Sequence, residues 1–139
     1  MKSILLMLFS AASFCAPLLA EQRDTLSYET TIVKVSGTIK QDTFPGPPNY
    51  RSIKLGDERE IYWILNLVHP VYVKGTSGNE INESESNVTQ MQLVLQQDQY
   101  NSYRKLIGRK VIVTGTLFHS ITGHHRTNVL MIVKSISAG

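Results

Sequence analysis

The feature that most constrains this chain is an alternation of apolar and polar residues with a period of two. In "SYETTIVKVSGTIK" (27–40), Val33, Val35 and Ile39 fall on one side and Lys34, Ser36 and Thr38 on the other. "RKVIVTGTLF" (109–118) repeats the pattern with Val111, Val113, Gly115 and Leu117 in register. A period of two places alternate side chains on opposite faces of a strand, so each segment reads as a strand with one buried face. Such faces must be buried against one another, which points to a sandwich or a barrel. Gly37 and Gly115 each sit inside a strand pattern, where glycine marks a sharp bend or bulge of the kind a curled sheet needs.

The remaining segments are short. In "EIYWILNL" (60–67), Ile61, Trp63, Leu65 and Leu67 share one face, and Tyr62, Ile64 and Asn66 the other; Trp63 is expected in the core. "HPVYVK" (69–74) reads as a separate strand turned off the previous one by Pro70, and "VTQMQLVL" (88–95) as a further strand. In "QDQYNSYRKLIG" (97–108) the period changes: Tyr100, Tyr103, Leu106 and Ile107 recur at helical spacing, and Gly108 supplies a C-terminal stop. Tyr100 and Tyr103 are expected to pin this helix over the end of the sheet. "NVLMIVKSI" (128–136) is the last strand.

This order predicts a mainly β fold: a small Greek-key barrel of the oligonucleotide/oligosaccharide-binding (OB-like) type, with one short helix between strands three and four. The strand at 88–95 would be an addition within that connection or a continuation of strand three. A two-sheet sandwich is the other architecture compatible with the pattern.

Two loops stand out in composition. "QDTFPGPPNYRSIKLGDERE" (41–60) holds Pro45, Pro47 and Pro48 around Gly46, which excludes helix and central strand and makes a stiff loop. "HSITGHHRT" (119–127) holds His119, His124 and His125, while His69 is the only other histidine. In an OB-like barrel both loops rim one ligand-binding face. Phe44, Tyr50 and Tyr62 offer rings for stacking. Arg51 and Lys54 on one rim, with His124, His125 and Arg126 on the other, would favour an anionic group, increasingly as the imidazoles gain protons. Each of these residues also has a bland reading, as barrel filling or exposed loop decoration.

Metal binding by His119, His124 and His125 is the weaker alternative. Imidazole suits zinc, copper or nickel, but zinc takes four ligands or three plus water. Neighbouring His124 and His125 point apart on an extended chain, and the loop has no carboxylate. Catalysis has no recognisable signature: there is no G-x-S-x-G, no reactive cysteine in the region 21–139 and no Rossmann or P-loop glycine pattern. The expectation is that the chain is not an enzyme and needs no cofactor.

The N-terminal end reads as a secretory signal peptide at residues 1–20. Lys2 gives a positive tip, Ile4 to Phe9 is an unbroken apolar run, and "APLLA" ends at Ala20 before the polar Glu21. Phe14 before Cys15 argues against a lipoprotein signal, which wants a small residue there. Cleavage after Ala20 would remove Cys15, the one cysteine, so the mature chain would hold together by its core without disulfides. Residues 21–139 suit one domain. Fourteen Lys and Arg against eleven Asp and Glu leave a formal charge of +3, too mild for a nucleic-acid footprint. No later apolar run is long enough to span a bilayer. The expected location is the periplasm.

The segments "VSGTIKQDTFPGPPNY", "DEREIYWILNL", "YRKLIGRKVIVTGTLF" and "TGHHRTNVLMIVKSI" together resemble an uncharacterised family of small secreted domains from Gram-negative bacteria. The resemblance spans nearly all of residues 33 to 136 and implies an envelope location and the barrel fold. It brings no established activity; by analogy, such families look more like accessory or inhibitor-type envelope proteins than enzymes. The functional expectation is a non-catalytic periplasmic binding module that uses a cleft between the 44–54 and 119–127 loops for an envelope ligand or a periplasmic protein. The alternatives are an inhibitor or immunity-type protein acting on an envelope enzyme or toxin, and a small metal-binding protein using the histidine loop.

Overall fold

The computed structural model describes residues 24–139; the signal peptide expected at 1–20 lies outside them. Six strands form one sheet: β1 (Thr25–Ser27), β2 (Ile32–Pro45), β3 (Arg59–Lys74), β4 (Glu85–Val94), β5 (Lys110–His119) and β6 (Val129–Ala138). A short helix, α1 (Gln97–Tyr103), runs into a 3-10 turn at Arg104–Leu106. The sheet order is β1-β3-β2-β5-β6-β4, and β3 also pairs with β4. That last pairing closes β2 to β6 into a ring, from which only the three-residue β1 projects, parallel to the end of β3.

The alternation predicted at 33–39 and 111–117 is present: Val33, Val35, Ile39, Val111, Val113 and Leu117 are all buried. They meet Trp63, Leu65, Met91, Leu93, Val129, Met131 and Val133 inside the ring. Trp63 is 2 % exposed, and Tyr100 of α1 packs edge-on against its ring at 5.2 Å between centroids. Tyr103, Leu106 and Ile107 join Tyr100 against the same core, so the helix covers the core as its spacing predicts. The side chain of Gln99 accepts from the Gln96 N–H at 2.8 Å, satisfying one donor of the helix start. Gly108 ends the segment at φ 81°, and its N–H bonds the Ile39 carbonyl at 2.7 Å.

The echo between "VSGTI" and "VTGTL" has a steric cause. A Cβ on Gly37 would collide with the backbone carbonyl oxygen of Asn66 in β3. One on Gly115 would collide with that of Ile132 in β6. Both glycines let neighbouring backbones approach closely where the sheet curls.

Four expectations are corrected. Residues 59–74 are one strand, not two: Pro70 sits where the ladder to β4 shifts register between Asn66 and Val71, so its missing N–H is accommodated at an irregularity. With those segments fused, 88–95 is no insertion, because β4 pairs with both β3 and β6 and completes the ring. Residues 41–45 continue β2 up to Pro45, which pairs with Arg59 at the strand end, where proline is tolerated. The helix is also shorter than 97–108, since the 3-10 turn takes over at Arg104.

The faces of β3 differ in part from expectation as well. Ile61 is 53 % exposed, whereas Ile64, on the opposite face, is 2 % exposed. Ile64 stands beside Gln92, and Gln92 beside Leu130, across neighbouring strands. All three point out of the ring yet are buried, because the chain after β5 turns back over them.

Candidate functional site

The covering segment is the histidine loop, and Gln92 anchors it. The Gln92 side chain accepts the Arg126 N–H at 2.6 Å and donates to the His124 carbonyl at 3.2 Å. Its backbone N–H bonds the Thr127 hydroxyl at 2.8 Å. A glutamine carries one acceptor and two donors, and here it satisfies loop backbone that would otherwise be stranded against a sheet. Phe118 supports the same loop from below, with the His125 ring edge-on at 5.4 Å.

The proline loop is held by one carboxylate. Oδ1 of Asp57 accepts the backbone N–H of Asn49 at 2.9 Å and its side-chain amide at 3.1 Å. Oδ2 accepts the backbone N–H groups of Arg51 and Ser52 at 2.7 and 2.8 Å. The Ser52 and Arg51 bonds lead in pulling the Asp57 pKa down to about 2, outweighing the opposing effect of burial. The prolines were expected to stiffen this loop; the larger organiser is a residue that sequence reading passed over. With the folded pKa near 2 and a reference value of 3.8, Asp57 contributes stability above the higher value and loses it as pH falls through the lower. Thermal unfolding followed from pH 5 to pH 2 should therefore show an acid-side fall in Tm between about pH 4 and 2. Asp57→Asn should flatten that portion and lower Tm at neutral pH.

The two loops meet around Glu60, the second residue of β3. Its carboxylate accepts the Tyr62 hydroxyl at 2.8 Å and the Arg126 guanidinium at 3.0 Å. It also lies 2.8 Å from His124 Nδ1. Because a carboxylate accepts, His124 Nδ1 carries a proton; the other ring nitrogen, Nε2, faces the Tyr50 hydroxyl at 3.1 Å. The Arg126 guanidinium donates a further bond to the Pro45 carbonyl at 2.7 Å and lies 5.2 Å from the centre of the Phe44 ring, 5.5 Å from Tyr50 and 5.8 Å from Tyr62. Arg126 and Glu60 side chains are only 10 % and 16 % exposed. Burial acts to raise the Glu60 pKa, but the bonds from Tyr62, His124 and Arg126 prevail and hold it below the usual carboxylate range. Burial, then the neighbouring Glu60, push Tyr62 up to about 12.

Tyr50 sits at φ 57°, a left-handed conformation uncommon for a large side chain. Gly123 leaves room for it: a Cβ there would stand 3.3 Å from the Tyr50 ring. The strain at Tyr50 brings its ring edge-on to His124, 5.3 Å between centroids.

Of the residues singled out in the sequence, Phe44, Tyr50, Tyr62, His124 and Arg126 converge here. Arg51 and Lys54 belong to the same loop and are exposed. The expected cleft is filled where these residues meet, by the Arg126 guanidinium and the His124 ring, so Arg126 is an internal cation already paired, not a free rim charge. Glu60 and Gln92 were not singled out from the sequence. Glu60 opens the strand read as core, and Gln92 is a polar residue in an apolar strand; a polar position of that kind was the available signal.

The other two histidines part company with His124. His125 Nδ1 accepts the Ile121 and Thr122 N–H groups at 2.9 and 3.3 Å, and burial, then the charge of His124, lower its pKa. His119 Nε2 lies 2.8 Å from Glu85 and its backbone N–H bonds Asn82. Burial alone would lower its pKa, but the bonds to Glu85 and to the Ser120 carbonyl outweigh that and raise it. The three imidazoles thus face three different partner sets. A metal site built from His119, His124 and His125 together is not formed.

Among the described residues, no helix is long and apolar enough to cross a membrane. A search of curated proteins finds no match to the chain. A domain of unknown function, DUF4431, is found at residues 90–137, the stretch that carries the second half of β4, α1, β5, the histidine loop and nearly all of β6, in keeping with the resemblance to an uncharacterised family.

Proposed function

We propose that this chain is a non-catalytic binding module of the periplasm that engages a protein partner through the joined 44–54 and 119–127 loops. The observation that carries the reading is the contact between Tyr50 and His124, 74 positions apart in the chain, at 3.1 Å. It makes one surface out of two loops. What that surface offers is not a deep cavity, since the space between the loops is occupied. It presents Leu55, 85 % exposed on the 3-10 turn Ile53–Leu55, with exposed Arg51 and Lys54 close to it in the same loop. An apolar anchor with two basic neighbours in its loop suits a partner with an apolar pocket that carries carboxylates at its edge. A stiff presenting loop lowers the ordering cost of association. The same protruding Leu55 favours, as a second reading, an inhibitor or immunity-type protein that inserts this turn into an envelope enzyme or toxin.

The strand order of the closed ring supports reading it as an OB-like Greek-key barrel, with α1 between its third and fourth strands. In that fold, ligands meet the face and loops in question. The periplasmic location is supported by the apolar run at residues 4–9 and the small residue at Ala20. The non-catalytic reading rests on Glu60. The line hydroxyl–imidazole–carboxylate through Tyr50, His124 and Glu60 is an order that activates nucleophiles elsewhere, but here the carboxylate is also engaged by Arg126 and Tyr62, as suits a structural junction between the loops.

The test is affinity capture from envelope extract with the wild-type protein and Leu55→Asp. A stoichiometric protein retained by the first and lost with the second supports the reading. Equal recovery by both, or enrichment of cell-wall polymer in its place, overturns it.

A further inference from the structure

We infer that Glu83, Glu85 and His119 form a binding site for a divalent transition-metal ion of the zinc class, separate from the loop junction. The donor atoms of these three residues lie within 4.8 Å of one another. They come from the segment leading into β4, from the first residue of β4 and from the last residue of β5, so the fold, not a local sequence motif, assembles them.

The tautomer of His119 is set by its surroundings. Nδ1 lies 3.2 Å from the Ser120 carbonyl oxygen. A carbonyl only accepts, so Nδ1 carries a proton. Nε2 lies 2.8 Å from Oε1 of Glu85, and a carboxylate also only accepts. At that separation a proton lies between them, and a metal ion that replaced it would draw the two atoms apart. An imidazole whose remote nitrogen is tied to a backbone carbonyl is the arrangement that orients histidine ligands in metal sites.

The donors are also braced from outside. The His119 N–H bonds the buried Asn82 side chain at 3.3 Å. The Tyr28 hydroxyl donates to the Glu83 carbonyl at 2.6 Å, fixing the backbone that bears the third ligand, and the Tyr28 ring stands edge-on to His119 at 6.3 Å. Asn128 Nδ2 lies 3.4 Å from the second oxygen of Glu85. Three donors at ~2.1 Å from a tetrahedral ion stand about 3.4 Å apart. Glu83 is exposed, so its side chain can rotate inward, while the 2.8 Å pair of His119 and Glu85 opens by about 0.6 Å to admit the ion. One nitrogen and two carboxylate oxygens with an open fourth position match the three-ligand form of zinc sites.

The experiment is titration of the tag-free full chain with Zn²⁺ by calorimetry, with Mg²⁺ as the comparison ion. The expected result is saturation at one Zn²⁺ per chain, no saturation with Mg²⁺, and a rise in Tm with free zinc. Glu83→Gln, which changes an exposed residue and leaves the metal-free Tm as in the wild type, should weaken zinc binding by about 10-fold or more. Absence of saturable zinc binding overturns the site. So does Glu83→Gln binding as tightly as wild type, or binding that is lost in His124→Ala while Glu83→Gln is unaffected, which would put the ion at the loop junction.

Discussion

Replacing Trp63 by alanine should lower the stability of this protein by ~4 kcal/mol, measured as the shift in free energy from urea unfolding. Trp63 lies in the first half of β3, is 2 % exposed, and faces the interior of the ring beside Leu93 of β4. Its ring also receives Tyr100 edge-on, so the truncation opens a cavity and removes the surface on which α1 rests. The expected consequence beyond the global loss is freer motion of the helix, seen as faster amide exchange at residues 97–106. Trp63→Phe should recover more than half of the lost stability. A loss below about 1 kcal/mol for alanine would mean that the site collapses easily, and the description of Trp63 as a core residue that supports α1 would fall.

The second large effect is at Arg126. Removing one member of a buried ion pair leaves its partner's charge uncompensated, at a cost of ~3 kcal/mol. Arg126→Ala strips Glu60 of its guanidinium, frees the Pro45 carbonyl and leaves three aromatic rings without the cation between them. We expect Arg126→Ala to destabilise by that amount and to loosen both loops. The pair Arg126→Met with Glu60→Gln should cost much less, because no orphan charge remains. Arg126→Ala at wild-type stability would show that this residue does not clamp the loops. His124→Ala serves as the contrast: its side chain is 49 % exposed, so its loss should be far milder.

This contrast marks how far the sequence could be read. The alternation at 33–39 and 111–117 was legible because those strands expose one face to water and one to the core. Residues 59–74 were harder, because Trp63 and Ile64, adjacent in sequence, are both buried, one inside the ring and one under the histidine loop. A strand covered on both faces loses its period. Pro70 reads as a strand break in sequence, yet the ladder shifts register around it. The meeting of Tyr50, Tyr62, His124 and Arg126 was foreseeable from loop order in a barrel. Their mutual neutralisation through Glu60 was not, since no local pattern ties Glu60 to a residue 66 positions later. Asp57 has the same character: one acid in a polar loop has no sequence mark distinguishing it from its neighbours.

The ring has a bearing on how the chain is made. β6 is the last strand in chain order, yet it pairs with both β5 and β4 and buries Val129, Leu130 and Met131 completely. A nascent chain that has not yet produced residues 129–138 has an open sheet, a hollow interior and no support for the loop above Gln92. The ring therefore closes only once residues 129–138 are available to pair with both β4 and β5.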